Sequence, residues 1–251
     1  MAISFTGDTH GEFRRFLPKA FPEQAGMTKS DYMIICGDFG GLWAAGRRQE
    51  QVLDWLDSLP FTLLFVTGNH ENYDLIEAYP KESWHGGLVR KIRPTVLNLT
   101  RGQVFELEGK KIFTMGGAAC HDIPDGILDP SDKFYRVKKL KLDATGGYYR
   151  VKGESWWEQE MPSPAEYETA RRNLDRVDWS VDYIITHCAP TSIQAEVGNR
   201  THPVNELTEF FEELAVKCRF RYWFFGHYHH NAVIMNRYIL LYENIVKLAN
   251  P

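Results

Sequence analysis

The chain has 251 residues, and its 29 basic against 33 acidic side chains give a net charge of −4, so no overall basic field attracts nucleic acid. Hydrophobic residues make up 43% and aromatic residues 14%, which supplies a sizeable core and excludes disorder for most of the chain. The four cysteines are widely spaced and form no CxxC pair, which excludes a zinc ribbon and indicates free thiols in a reducing compartment.

The first residues predict a strand and not a signal peptide, since no charged segment precedes an apolar one. No apolar run approaches the ~20 residues of a membrane span. We therefore expect a cytoplasmic protein without a membrane partner.

A short apolar run that ends in a polar residue, usually behind a glycine, occurs five times. The five segments are Ala2–Asp8, Tyr32–Asp38, Leu63–His70, Tyr183–His187 and Tyr222–His227. Continuous apolar runs of this length are typical of strands that are buried on both faces. Arg47–Ser58 has the spacing of an amphipathic helix between two of them. This alternation predicts an α/β sheet, whose ligand sites lie beyond the carboxyl ends of its strands.

The middle of the chain follows a different pattern. Residues 88–115 read as short strands, with Lys110–Met115 the clearest, and residues 116–162 read as irregular. Ser163-Pro164-Ala165-Glu166 is a capping box with proline at the first helical position, which predicts a helix to about Val177. Residues 231–243 predict a hairpin that turns at 236–237. We expect a single domain over residues 1–251, with residues 118–162 as an insertion over one edge that its tryptophans anchor.

The side chains at or just after the ends of the apolar segments offer oxygen or imidazole nitrogen atoms as ligands, and not thiolate. These candidate ligands are Asp8, His10, Asp38, Asn69, His187, His227 and His229. In extended backbone, residues two apart point the same way, so each Asp-x-His or His-x-His pair can converge on one point. Glycines at 7, 11, 37, 68 and 226 permit close approach. The ligand types suit Mn, Fe, Zn, Co or Ni, and seven ligands are too many for one tetrahedral ion.

These residues resemble the motifs of the calcineurin-like metallophosphoesterases. The matching segments, in family order, are Gly7-Asp8-Thr9-His10-Gly11, Gly37-Asp38, Gly68-Asn69-His70-Glu71, His187 and Gly226-His227-Tyr228-His229. The resemblance implies a four-layer αββα sandwich in which two mixed β-sheets are flanked by helices. Arg150–Pro162 and Tyr183–His187 are further similar to a small bacterial and phage branch, whose members are mostly phosphoesterases of undefined substrate.

The resemblance also implies roles for the individual residues. Asp8, His10 and His229 would bind one metal ion. Asn69, His187 and His227 would bind a second, and Asp38 would bridge the two. His70 would face the phosphate and protonate the leaving group, so the implied catalytic residues are His70 and Asp38. The expected substrate contacts are Asn69, His70, His121 and Arg150.

The implied reaction is hydrolysis of a phosphomonoester or phosphodiester by a hydroxide that bridges the two ions, with Mn²⁺ favoured and Fe, Zn, Ni or Co as alternatives. Two divalent ions outweigh the two carboxylates and leave a cationic site for a phosphate, and they activate a shared water. A histidine pKa of about 6.5 suits a general acid near neutral pH. We expect a small phosphoester or nucleotide as the substrate.

Two observations bear on the choice of substrate. Protein phosphatases and dinucleoside polyphosphate hydrolases carry an Asp-Arg pair soon after the second motif, and Asp38–Trp43 lacks it. Residues 133–152 hold seven basic residues against Asp143 alone, with aromatic residues interleaved, a composition that can hold nucleic acid. A solvated flap with its aromatic side chains packed underneath is the simpler interpretation. The alternatives to a small-substrate phosphoesterase are therefore a nuclease of the same fold and a non-catalytic metal-site scaffold for a protein partner.

Overall fold

The computed structural model describes residues 2–197 and 202–247. The strands are β1 (Ile3–Thr6), β2 (Tyr32–Ile35), β3 (Thr62–Phe65), β4 (Lys81–Trp84), β5 (Gly87–Arg93), β6 (Val96–Leu99), β7 (Gln103–Leu107), β8 (Lys110–Met115), β9 (Ile127–Leu128), β10 (Arg150–Val151), β11 (Tyr183–Thr186), β12 (Tyr222–Phe225), β13 (Ala232–Ile234), β14 (Tyr238–Leu240) and β15 (Val246–Lys247). The α-helices are α1 (Arg47–Ser58), α2 (Tyr73–Glu77), α3 (Tyr135–Thr145), α4 (Pro164–Asp175), α5 (Thr191–Glu196) and α6 (Glu206–Lys217). Within the described ranges, no helix has the length and apolarity to cross a membrane.

The strands form two large mixed sheets. The first has the order β15-β1-β2-β3-β6-β5-β4, and β1, β2, β3 and β6 run parallel in it. The second has the order β13-β14-β12-β11-β8-β7, with β14, β12, β11 and β8 parallel. The expected hairpin is confirmed, because β13 pairs antiparallel with β14. Five of the parallel strands, β1, β2, β3, β11 and β12, come from the apolar runs, and they are almost entirely buried, as predicted.

The two sheets face each other, and helices cover their outer faces. Phe5 of the first sheet stacks on Phe224 of the second, with ring centroids 3.8 Å apart. Successive residues of a strand alternate between layers: Ile34 packs between the sheets, whereas Met33 packs under α1 on the outer face. The outer face of the second sheet packs against α4 and α6. This is the αββα sandwich that the resemblance implies.

The helix after the insertion begins as its sequence predicts. Ser163 donates its backbone N–H to the Glu166 carboxylate over 2.8 Å, which closes the capping box at the start of α4. The helix ends at Asp175, two residues before the predicted end.

The insertion at residues 118–162 is more regular than expected. It contains α3, which ends at Gly146 in the left-handed conformation with φ of 67°, and the short parallel pair of β9 and β10. Trp157 anchors the insertion as predicted: it is 4% exposed, and its indole N–H donates to Asp74 over 2.8 Å. Trp157 also packs edge-on against Trp43. The prediction that residues 116–162 are irregular is therefore wrong for α3. No residue of α3 is buried, so its sequence lacks the amphipathic pattern that would have indicated a helix.

Candidate metal centre

The predicted ligands lie together at the carboxyl ends of five parallel strands. Asp8, Asp38 and Asn69 follow β1, β2 and β3, which are neighbours in the first sheet. His187 and His227 follow β11 and β12, which are neighbours in the second sheet. Because the two sheets face each other, their strand ends converge on one site, as expected for this class of fold.

One group of ligands surrounds a point between the first and last motifs. Asp8, His10, Asp38 and His229 each offer one atom, and these four atoms lie within 4.8 Å of one another. The Nε2 atoms of His10 and His229 are 3.1 Å apart, and His229 Nε2 is 3.2 Å from Asp8 Oδ2. Both carboxylates are buried, whereas the two imidazoles are exposed at the open side. This group provides two oxygen and two nitrogen ligands for one cation.

A second group of predicted ligands lies on the other side of the Asp38 carboxylate. His187 Nε2 is 3.3 Å from Asp38 Oδ2 and 3.2 Å from Asn69 Oδ1. His187 Nδ1 lies 2.8 Å from the carbonyl oxygen of Cys36, which accepts a hydrogen bond from the Nδ1–H, and Nε2 is left to face the site. Asp38, Asn69 and His187 therefore form a second group of candidate ligands.

Asp38 Oδ2 is the atom that the two groups share. It lies 3.7 Å from His10 Nε2 on one side and 3.3 Å from His187 Nε2 on the other. Asp38 is 1% exposed, and its Oδ2 has no hydrogen-bond partner among the described residues. A buried carboxylate oxygen without a donor is costly, and a bound cation removes that cost. The donor set of oxygens and imidazoles fits a pair of divalent ions such as Mn²⁺ or Fe²⁺.

Burial and charge shift the pKa values of the site. Burial lowers the pKa of His187, but the neighbouring Asp38 carboxylate outweighs burial and raises it to about 9. Burial would raise the pKa of Asp38, but His187 beside it holds that pKa well below its usual range. A hydrogen bond to Asp8 raises the pKa of His229. Without metal, a protonated His187 therefore offsets part of the carboxylate charge, and cation binding at its Nε2 must release that proton.

The backbone around the ligands is strained, and side chains are excluded at two points. His10, Asp38, His227 and His229 all have φ between 46° and 73°, the left-handed region that such residues rarely adopt. A Cβ on Gly68 would lie 2.1 Å from Asp38 Oδ1, and one on Gly226 would lie 2.0 Å from Asp8 Oδ1. The glycines predicted to permit close approach therefore do so at both carboxylates.

The chain matches the family model "Calcineurin-like phosphoesterase" over residues 1–231. The chain belongs to the calcineurin-like phosphoesterase family. It is also 22% identical over 265 residues to the lariat debranching enzyme of Drosophila melanogaster. That match covers 91% of this chain but only 43% of the relative.

The residues predicted to contact the substrate lie at different places relative to the candidate metal ligands. The ring of His70 packs edge-on against His10 with centroids 5.4 Å apart, and burial lowers its pKa. Arg150 is ion-paired to Asp122 on the insertion. His121 contacts the ring of His227 with centroids 5.1 Å apart. The four predicted contacts therefore divide into Asn69 and His70, which lie among the ligands, and two residues of the insertion.

His227 is the predicted ligand whose surroundings differ most from expectation. Its ring packs against His187, with centroids 5.0 Å apart, and also against His121 and His202. Its backbone N–H donates to both oxygens of Asp8 over 3.0 and 3.1 Å. His227 and His229 do not converge on one point as extended backbone would place them, because both have left-handed φ values.

Two residues that position the carboxylate loops were not singled out by the sequence. Glu71 is fully buried and accepts the backbone N–H groups of Phe39 and Gly40 at 2.7 and 3.3 Å, directly after Asp38. Arg15 donates to the carbonyl oxygen of Asp8 over 2.8 Å. The signal for Glu71 was its place in the third motif, whereas nothing in the sequence distinguishes Arg15 from a solvated arginine.

Proposed function

We propose that this chain is a phosphoesterase that uses two divalent ions, with Mn²⁺ favoured, to hydrolyse phosphomonoesters or phosphodiesters. The observation that carries the proposal is the position of Asp38 Oδ2, a buried oxygen without a hydrogen-bond partner among the described residues, between the two groups of ligands. An oxygen in that position is suited to bridge two cations.

The ligand groups and the residues beside them have separate roles in this proposal. Asp8, His10 and His229 would hold one ion, Asn69, His187 and His227 would hold the other, and Asp38 would bind both. Bound ions supply the positive charge that attracts the phosphate and lower the pKa of the attacking water.

His70 is the proposed general acid. Its backbone N–H donates to Asp38 Oδ1 over 2.8 Å, so the main chain that carries the imidazole is tied to the bridging carboxylate. Burial lowers the pKa of His70, and a substrate phosphate beside the ring would favour its protonated form. The protonated ring can donate to a leaving oxygen at neutral pH.

The substrate is proposed to be small, such as a phosphodiester or a nucleotide. The similar protein from Drosophila melanogaster is by its name a lariat debranching enzyme, and for this chain that name favours a diester over a monoester as the substrate. The missing Asp-Arg pair after Asp38 is an argument against a protein phosphatase.

Ion pairs within the insertion count against a nuclease. Four of the seven basic residues at 133–152 are paired: Lys138 with Asp132, Lys139 with Asp143, Arg150 with Asp122, and Lys152 with Glu158. The charge available to a nucleic acid is therefore much smaller than the sequence count indicates. Phe134 and Tyr148 are nevertheless 53% and 70% exposed, so the aromatic side chains are not all packed underneath. A nuclease remains the second candidate because of these exposed rings and the lariat debranching relative.

The test is hydrolysis of p-nitrophenyl phosphate and bis-p-nitrophenyl phosphate by metal-stripped protein, with Mn²⁺, Ni²⁺, Zn²⁺ or Mg²⁺ added back. We expect no turnover without metal and restored turnover with Mn²⁺, with the diester hydrolysed faster. Faster monoester turnover would indicate a phosphatase. If both esters remain intact while two ions are bound, the proposal is wrong and a binding scaffold becomes the better interpretation.

A further inference from the structure

A pocket of about 400 Å³ lies beside the candidate metal centre. Gly11 and Gly40 are among its lining residues, and they follow the candidate ligands His10 and Asp38 by one and two residues. Trp43 and the first residues of α1 line the same pocket. A pocket of this volume can hold a small organic molecule. A ligand in it would therefore lie next to a phosphate that is bound at the centre.

Hydrogen bonds fix the loop that carries Trp43. Oε1 of Gln49 accepts the backbone N–H groups of Trp43 and Ala44 over 2.8 and 3.1 Å. The side-chain amide of Asn72 donates to the carbonyl oxygen of Trp43 over 3.0 Å. The ring of Trp43 packs edge-on against that of Trp157, with centroids 5.9 Å apart, and Trp43 is nevertheless 39% exposed. A large ring that is held in place and open to solvent offers a surface on which a planar group can stack.

Two positive charges line the same pocket. Arg47 and Arg48 are exposed, and neither forms an ion pair with a residue in the described part of the chain. The carboxylates of Glu50 and Asp54, on the same helix, pair with Arg93 instead. The pocket therefore attracts an anion, and salt screens that attraction because both guanidinium groups are exposed.

We propose that this pocket binds the base of a nucleotide substrate, which stacks on Trp43 while Arg47 and Arg48 attract the negative charge of the nucleotide. The inference rests on the proposed function, because the reacting phosphate would lie at the two ions. A nucleotide matches both features of the pocket, since its base has an aromatic face and its phosphate is anionic. A simple alcohol would leave the arginines without a partner, and inorganic phosphate would leave the ring of Trp43 exposed. The pocket thus selects nucleotides among small phosphoesters.

The experiment measures binding and does not depend on turnover. The non-hydrolysable phosphonate analogue of adenosine 5′-monophosphate and methylphosphonate are titrated separately into Mn²⁺-loaded protein in a calorimeter. Wild-type protein should bind the nucleotide analogue about 10-fold more tightly than methylphosphonate, and Trp43→Ala should remove that difference, the usual effect of losing one stacked base. Trp43→Phe keeps a ring and should retain most of the preference. Arg47→Ala combined with Arg48→Ala should weaken binding of the nucleotide analogue and reduce its dependence on salt.

Phe134→Ala is the matched control, since Phe134 is 53% exposed but does not line this pocket, and it should keep the preference for the nucleotide analogue. Ala45→Leu fills part of the pocket and leaves Trp43 in place, so it should lower the preference even if Trp43→Ala does not fold. Equal affinity of wild type for the two phosphonates, or a preference that persists in Trp43→Ala or, should that variant not fold, in Ala45→Leu, overturns the inference. If the binding results are as expected but no nitrophenyl ester is hydrolysed, the proposed function is wrong and the nucleotide site stands.

Discussion

The backbone N–H of His70 donates to Asp38 Oδ1 over 2.8 Å, and this bond gives the two oxygens of the Asp38 carboxylate different surroundings. Oδ1 is occupied by the main chain, whereas Oδ2 faces His10 and His187 without a partner among the described residues. The third motif thus orients the Asp38 carboxylate of the second motif, which we propose as the bridge between two ions. This explains physically why Asn69 and His70 follow a glycine, since a Cβ at position 68 would collide with Asp38.

Replacement of His70 by alanine should lower kcat by about 10²–10⁴, the usual contribution of a general acid, and leave metal content unchanged. In the proposed assignment the side chain is not a ligand, and the backbone bond of His70 to Asp38 does not depend on the side chain. Steady-state kinetics with bis-p-nitrophenyl phosphate and metal analysis would check this. His230→Ala is the matched control and should keep activity. Loss of metal from His70→Ala would show that His70 is a ligand.

Replacement of Gly226 by alanine should weaken metal binding, because the new Cβ would lie 2.0 Å from Asp8 Oδ1 and displace that carboxylate. We expect the free energy of unfolding to fall by about 1–3 kcal/mol, the usual range for overpacking. Urea denaturation and metal titration measure both effects. Gly26→Ala is the control, since nothing lies within 4 Å of a Cβ there. Equal metal affinity in the two variants would count against the close approach of Gly226 and Asp8.

The pH dependence of stability should include a contribution from Glu160. It is 1% exposed, and burial raises its pKa from 4.5 to about 9. The folded protein holds this proton where the unfolded chain has released it, so the free energy of unfolding falls as pH rises from about 4.5 to about 9, by at most about 1.4 kcal/mol per pH unit. Urea denaturation of metal-free protein between pH 6 and 8 should show a shallower fall in Glu160→Gln than in wild type. The exposed Glu158→Gln serves as control and should follow wild type; identical slopes in all three proteins would contradict the assignment.

Charge reversal on the insertion should leave catalysis of small esters unaffected. Lys133, Arg136 and Lys141 form no ion pair with the described residues, so changing them to glutamate breaks no such contact. If the substrate is small, KM for both nitrophenyl esters and for a short oligonucleotide should change less than about twofold, since exposed charges are screened by salt. A selective rise of KM for the oligonucleotide would instead favour the nuclease.

The sheets were predictable because their strands carry strong local signals. Five apolar runs became β1, β2, β3, β11 and β12, since a continuous apolar strand has only one favourable place, between two covered faces. The helix α3 was not predictable, because Val137 and Leu140 are 68% and 71% exposed and show no core-facing pattern. The amphipathic α1, by contrast, buries Leu53 and Leu56 and was predicted with its bounds.

The candidate metal ligands were predictable because they lie in short motifs at strand ends. His202 was interpreted as a loop residue, and its contact with His227 depends on how α5 and α6 pack, which no sequence spacing reports. The role of Glu71 depends on a hydrogen bond that crosses from the third motif to Phe39. Relationships between segments far apart in the chain thus required the structure.

The most direct test of the bridging role of Asp38 is a Mn²⁺ titration followed by electron paramagnetic resonance, in wild-type protein and in Asp38→Asn. Two ions bridged by one carboxylate lie about 3.5–4 Å apart and are magnetically coupled. We predict a coupled signal that grows to two equivalents in wild type, and loss of both that signal and of ester hydrolysis in Asp38→Asn. Asp178→Asn is the control, because Asp178 is exposed and has a similar φ of 51°. Isolated Mn²⁺ signals in wild type, or an unchanged coupled signal in Asp38→Asn, would contradict the account.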